Sequence, residues 1–266
     1  YVKDCVESTI GNIRIGINER IVVIPNGINL DLFNKTDKEK IRSIINLGDY
    51  ENIILYPHRP EESKGIYQSL ELIRRLKKRG FNNIKLLIPE YIDLNVNSEL
   101  KNHYKKIKEF ARKNDISENI VFHDWIPYEL MPAYYSLGKA VLTIGNFIEA
   151  FGSNTVFESL ACGTYPITVN VGAIRTTIPD EILEKFDFND LDAMEEKLVK
   201  ILNNEKFFDL QNIRDYIDAN FNYQNMLNRY ENEITAIKKL EKLKLNEKNI
   251  DISSSLFKIS PWCYIS

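Results

Sequence analysis

Between residue 20 and about residue 203, short β-branched runs alternate with stretches whose apolar residues recur at helical spacing. That alternation leaves few folds open. The predicted strands are "RIVVIP" (20–25), "NIILYP" (52–57), "IKLLIP" (84–89), "NIVFH" (119–123), "KAVLTIG" (139–145) and "TYPITVN" (164–170). Between them, "GIYQSLELIRRLKKRG" (65–80) sets Ile66, Leu70, Ile73 and Leu76 on one helical face. "SELKNHYKKIKEFARKN" (98–114) reads as a second helix. "PYELMPAYYSL" (127–137) opens on a proline suited to a first helical position. Near-continuous apolar strands separated by amphipathic helices predict a parallel sheet covered on both faces, a doubly wound, Rossmann-like α/β domain.

After Asn203 the pattern is helical only. A helix predicted from Tyr223 to Leu245 carries Tyr223, Met226, Leu227, Tyr230, Ile234, Ile237 and Leu240 as one stripe, which needs a surface to bury against. The stretch around Ile234, Ile237 and Leu240 is expected to self-associate or to dock a separate half. Residues 247–266 show no periodicity. The chain is 44% hydrophobic and 27% charged with a net charge of −3, so it carries no nucleic-acid footprint. No apolar run approaches the roughly 20 residues of a membrane span, and no signal peptide is visible. Cys5, Cys162 and Cys263 are odd in number and lack metal-ligand spacing, which fits a reducing, cytoplasmic setting.

In an open parallel sheet, ligands bind beyond the carboxyl ends of the strands, where helix starts present free N–H groups. After the second predicted strand comes "PHRPEESKG", with Arg59 and Lys64 closing on Gly65. Two cations there suit a diphosphate, the Arg as a fork and the Lys as a point charge; a solvated loop with internal counter-charges is the alternative. His58 is either a donor to a substrate hydroxyl or a buried, satisfied histidine. After the fifth strand comes "FIEAFGSNTVFESLACGTYPI" (147–167). Gly152 permits a tight turn, and Ser153, Asn154 and Thr155 offer caps with free amides behind them. Glu149 and Glu158 then face one small polar ligand, unless Thr155 and Glu158 form a capping box. Gly163 reads as a helix C-cap. In "FHDWIP" (122–127), Trp125 and Ile126 suit a nucleobase, or Trp125 belongs to the core. "DLD" (190–192) sits at a helix start and reads as an N-cap in place of a metal-binding acidic pair.

Together these motifs resemble the C-terminal, donor-binding domain of retaining GT-B glycosyltransferases of the glycogen-synthase-like group, the group 1 glycosyltransferases. "VVIPNGINLDLF" resembles that family's interdomain linker, "HRPEESKG" its Arg…Lys-Gly loop, and "EAFGSNTVFESLACGTYPI" its double-glutamate motif. The resemblance covers roughly residues 6 to 230. It divides the chain into the end of an N-terminal region plus linker (1–35), a nucleotide-sugar-binding domain (36–219), a crossing helix (220–246) and a tail (247–266). The family usually has seven residues between its glutamates; here residues 150 to 157 make eight, which places the extra one in the Ser153–Asn154 turn.

The resemblance implies that Arg59 and Lys64 hold the diphosphate of a UDP-, GDP- or ADP-linked sugar. It implies that Glu149 touches the transferred sugar, Glu158 the ribose, and the amides after Gly152 sugar or phosphate. The reaction implied is sugar transfer to an acceptor hydroxyl with retention, by front-face attack within an ion pair. No cofactor is implied, and no metal is required where cations stabilise the leaving group. The acceptor half of the family is not recognisable in the chain, which opens at Tyr1 in what reads as the end of a preceding segment. The rivals are a nucleotide-sugar-binding subunit or fragment inactive without a partner acceptor domain, a nucleotide-sugar epimerase of similar architecture, and a non-catalytic scaffold.

Overall fold

A computed structural model of the chain describes residues 2–11, 17–90, 98–146, 153–205 and 209–236. The elements are α1 (Val2–Thr9), α2 (Glu39–Ile45), β1 (Asn52–Leu55), α3 (Ile66–Lys78), β2 (Ile84–Pro89), α4 (Ser98–Lys113), β3 (Ile120–His123), α5 (Met131–Leu137) and β4 (Ala140–Thr143). They continue with α6 (Asn154–Ala161), β5 (Tyr165–Thr168), α7 (Ile174–Thr177), α8 (Leu191–Leu202), α9 (Leu210–Phe221) and α10 (Tyr223–Ala236). The five strands form one parallel sheet in the order β3-β2-β1-β4-β5. The Rossmann-like α/β expectation therefore holds.

The strand order has a direct consequence. The chain winds outward from β1 through β2 to β3, then returns to the other side of β1 for β4 and β5. Right-handed crossovers running in opposite directions put their helices on opposite faces. Accordingly α3 packs on α8, while α6 contacts β4, β5, α5 and α9. The central strands are buried on both faces, which explains their unbroken apolar runs: Ile53, Ile54 and Leu55 of β1 and Ala140, Val141 and Leu142 of β4 are buried. The predicted stripe of α3, Ile66, Leu70, Ile73 and Leu76, is buried as expected. Asp190 caps α8 by accepting from the Ala193 N–H at 3.1 Å, and Asp192 pairs with Arg75 of α3. Both acids of "DLD" thus serve the α3–α8 layer.

Two expectations need correction. "RIVVIP" joins no sheet: Ile17–Arg20 is a 3₁₀ turn, and Val22 and Val23 are 51% and 53% exposed. The segment runs along the C-terminal helices instead. Ile28 donates to the Phe221 carbonyl at 2.7 Å, and Arg229 donates to the Val23 carbonyl at 2.7 Å. Similarly, Pro127 precedes a 3₁₀ turn, Tyr128–Leu130, and the α-helix starts only at Met131, with Pro132 in its first turn. Among its described residues α10 buries no side chain; Leu227, Tyr230 and Ile234 are exposed, Ile234 by 63%. Ile237 and Leu240 of the predicted stripe lie outside the described residues.

Arg214 of α9 ties the linker to the domain. Its guanidinium donates to the carbonyls of Phe33 at 2.9 Å, Leu30 at 3.0 Å and Ala161 at 2.8 Å. One planar fork therefore closes the end of α6 and two turns of the incoming chain. Substituting Arg214→Met keeps the apolar stem but leaves three carbonyls without their donor. Urea denaturation should show a loss of about 3 kcal/mol or more. A loss below about 1 kcal/mol would mean that water replaces the guanidinium at little cost.

Candidate functional site

The reversal of winding direction lies between β1 and β4, and a crevice opens there at their carboxyl ends. The loop after β1 contains Arg59 and Lys64; the segment after β4 leads through Gly145 toward α6. These two segments touch backbone to backbone. A Cβ on Gly145 would fall 2.2 Å from the Ser63 carbonyl oxygen and 2.6 Å from the Lys64 Cα. A Cβ on Gly65 would meet the Gly145 nitrogen at 2.9 Å, and Gly65 holds φ at +79°. Only glycine permits both the left-handed turn and the approach. Gly145 was not singled out from sequence; a glycine ending a predicted strand is the signal that marks such close approach.

Lys64 is half-buried at the end of the Glu62–Lys64 3₁₀ turn, and Arg59 is exposed. Tyr56 at the end of β1 donates its hydroxyl to the Arg59 carbonyl at 3.0 Å, which fixes the loop from below. His58 stacks edge-on against Tyr56 at 5.4 Å and is partly exposed. Burial, aided by the charge of Lys64, pushes its imidazole down to about 4, so His58 is neutral in ordinary buffers.

On the far side of the crevice α6 begins with Ser153 at its N-cap position, without a side-chain capping bond. The expected Thr155–Glu158 capping box is therefore absent: Thr155 is already inside the helix, and Glu158 turns toward α5. Its Oε2 accepts the Tyr135 hydroxyl at 2.8 Å. Burial raises the Glu158 carboxyl above the usual value, and the Tyr135 bond opposes that only partly. Asn154 is exposed, and its Oδ1 accepts from Asn26 of the linker at 3.3 Å. Gly163 is left-handed at φ +79° just past α6, as expected of a helix end. Glu149 and Gly152 lie outside the described residues.

A third group sits over the carboxyl ends of β1, β2 and β3. Pro57, Pro89, His123, Trp125, Ile126, Met131 and Tyr134 line an open recess. Ile126 is 4% exposed and forms its floor, whereas Trp125 is 61% exposed. Trp125 is thus not a core residue. His123 is buried, with Nε2 3.0 Å from the Tyr134 hydroxyl and Nδ1 2.8 Å from the Asp124 carbonyl, and burial lowers its pKa. The structure thus sets Lys64, Arg59, the start of α6, Trp125 and Ile126 at the same edge of the sheet.

Two outcomes test this geometry. Gly145→Ala forces the Lys64 backbone away from β4, and overpacking of this kind should cost about 1–3 kcal/mol in urea melts. An unchanged midpoint would show that the two loops are not in contact. Glu158→Gln addresses the buried carboxylate. Because the folded value lies above the ordinary 4.5, the ionised form is disfavoured only in the folded protein. That penalty is absent below the ordinary value, grows as pH rises through the raised one, and then stays constant. The Gln variant should therefore melt higher than the parent at pH 7.5 and like it at the acid end. Equal melting temperatures throughout would place Glu158 in water.

The family model of the group 1 glycosyl transferases matches residues 37–219. The chain is 22% identical over 162 residues to the lipopolysaccharide 1,2-N-acetylglucosaminetransferase of Salmonella typhimurium, a match covering 61% of this chain and 42% of that protein. A glycosyltransferase of Rickettsia africae superposes with a TM-score of 0.72 at 24% identity, over 89% of this chain and 62% of that one. HepE of Anabaena, solved in complex with UDP-glucose, superposes with a TM-score of 0.69 at 12% identity, over 83% and 58%. The chain thus spans less than two thirds of the length of each. The structural likenesses establish the shared fold, and the family match runs from just before α2 into α9. The chain belongs to the group 1 glycosyl transferases, as a GT-B domain.

Proposed function

We propose that this chain is the donor half of a retaining glycosyltransferase, binding a nucleotide-sugar whose sugar passes to an acceptor hydroxyl. The observation that carries the reading is the clamped Lys64–Gly65 turn. It lies at the point where the winding of the sheet reverses, against the backbone of Gly145, with the start of α6 on the other side of the crevice. In this reading Lys64 and Arg59 receive the diphosphate. Ser153, Asn154 and Thr155 contribute helix-start amides, and Glu158 accepts from the ribose. The base lies over Ile126 beside Trp125. Gly152 and Glu149 keep the roles implied by the family motif, close approach to the ligand and contact with the transferred sugar.

The chemistry asked of these residues is electrostatic. As the bond from the anomeric carbon to the diphosphate breaks, negative charge grows on the leaving oxygen. Two cations and oriented amides stabilise it where it develops. The acceptor oxygen bonds the same face of the anomeric carbon and passes its proton to the departing phosphate. Transfer also needs an acceptor site. We assign the exposed apolar residues of α10, Leu227, Tyr230 and Ile234, with Val22 and Val23 of the neighbouring segment, to contact with an acceptor-binding half. A uridine nucleotide is the first ligand to try, since HepE was solved with UDP-glucose.

Calorimetry with UDP, GDP and ADP tests the proposal. At least one should bind, and Lys64→Ala should weaken that diphosphate about tenfold to a hundredfold while affecting the monophosphate far less. Absence of binding by all three at millimolar concentration would remove the donor-site reading. An equal loss for mono- and diphosphate would move Lys64 away from the second phosphate.

A further inference from the structure

The ring of Tyr135 is almost wholly buried, yet its hydroxyl ends on a carboxylate that faces the crevice. It donates to Glu158 Oε2 at 2.8 Å and lies near the Thr155 side chain, one turn earlier on α6. Among the described residues the Glu158 carboxylate has no other hydrogen-bond partner, which leaves Oε1 for a ligand. The ring itself cannot swing. Tyr134 packs against it at 6.2 Å and Phe33 of the linker at 6.3 Å, and Phe33 also meets Tyr128 edge-on at 5.6 Å. Phe33 is 1% exposed, and its carbonyl is one of the three that Arg214 holds. A chain of fixed contacts therefore runs from the linker through Phe33 and Tyr135 to Glu158.

We propose that Tyr135 is the positioning residue for Glu158: its hydroxyl holds one carboxylate oxygen in place so that the other meets the hydroxyls of the donor ribose. This rests on the donor-site reading above. A glutamate side chain has three rotatable bonds and is otherwise free to sample several rotamers. The Tyr135 bond selects among them. It also favours the ionised carboxylate, the form that accepts two hydroxyl donors, against the burial that disfavours it.

The test compares a nucleoside diphosphate that binds the parent with its 2′,3′-dideoxy form. Tyr135→Phe keeps the buried ring and removes only the hydroxyl. It should weaken the ribonucleotide about five- to tenfold and leave the dideoxy form unchanged. The acid limb of ribonucleotide binding should move to higher pH, because Glu158 loses the bond that favours its ionised form. In a Glu158→Ala background the same substitution should have no further effect on affinity. Thr155→Val, which leaves the α6 amides in place, should give a smaller loss in the same direction and serves if Tyr135→Phe does not fold. Equal losses for both nucleotides, no loss for either, or an undiminished effect without Glu158 would overturn the assignment. If the parent binds no nucleoside diphosphate, the donor-site reading itself fails and this inference falls with it. If the parent binds but does not prefer the ribonucleotide, the donor site stands and the role of Tyr135 and Glu158 is overturned.

Discussion

The backbone contact between Lys64–Gly65 and Gly145 is the constraint on which the site depends. Two parallel strands adjacent in a sheet lie about 4.8 Å apart, and the loops leaving their ends normally diverge to make room for side chains. Here the contact is between backbones, and a side chain on either glycine would push the two segments apart. The contact keeps Lys64 beside the start of the path from β4 to α6. Tyr56 reinforces it from the end of β1 by donating to the Arg59 carbonyl, with the His58 ring packed edge-on against its own.

A second set of interactions makes the linker part of the site. Gly27 packs against the backbone at the start of α10 and donates to the Met226 sulfur at 3.0 Å, while Arg214 holds Leu30 and Phe33. Phe33 then touches the two tyrosines beside Glu158. The incoming chain is therefore not a tether lying on the surface. Its position and that of the Glu158 carboxylate are determined by the same packing. Glu158 is held at a cost to the folded state, since burial raises its pKa. A destabilised polar group kept in a cleft beside a helix start is what a ligand-accepting carboxylate requires.

Much of this was legible in the residues. The five strands that form the sheet, the buried stripe of α3, the Gly163 turn and the Asp190 cap all follow from local pattern. Each is decided within one element, by alternation, by helical spacing or by a side chain reaching its own backbone. The failures share the opposite property. "RIVVIP" has strand composition, but composition does not supply a pairing partner, and the chain runs past α10 with its valines in solvent. The Thr155–Glu158 pattern is a local signal for capping, but α6 starts earlier, with Ser153 at its N-cap position, and Glu158 bonds Tyr135 of α5. Trp125 was equally suited to core or surface because aromatic content alone does not say which way a strand-end loop turns.

The sequence by itself determined the class of fold, the order of the loops that carry cations, caps and carboxylates, and the family that those motifs belong to. These are properties of short segments, whose spacing and chemistry need no knowledge of what lies opposite. Only the tertiary structure decided that β4 returns to the side of β1, so that Lys64 and the path to α6 share one crevice. It also decided that Gly145 is the point of contact and that Glu158 bonds Tyr135 of α5. These facts depend on residues distant in sequence meeting in space, and burial against a neighbouring element, not local propensity, sets their energy.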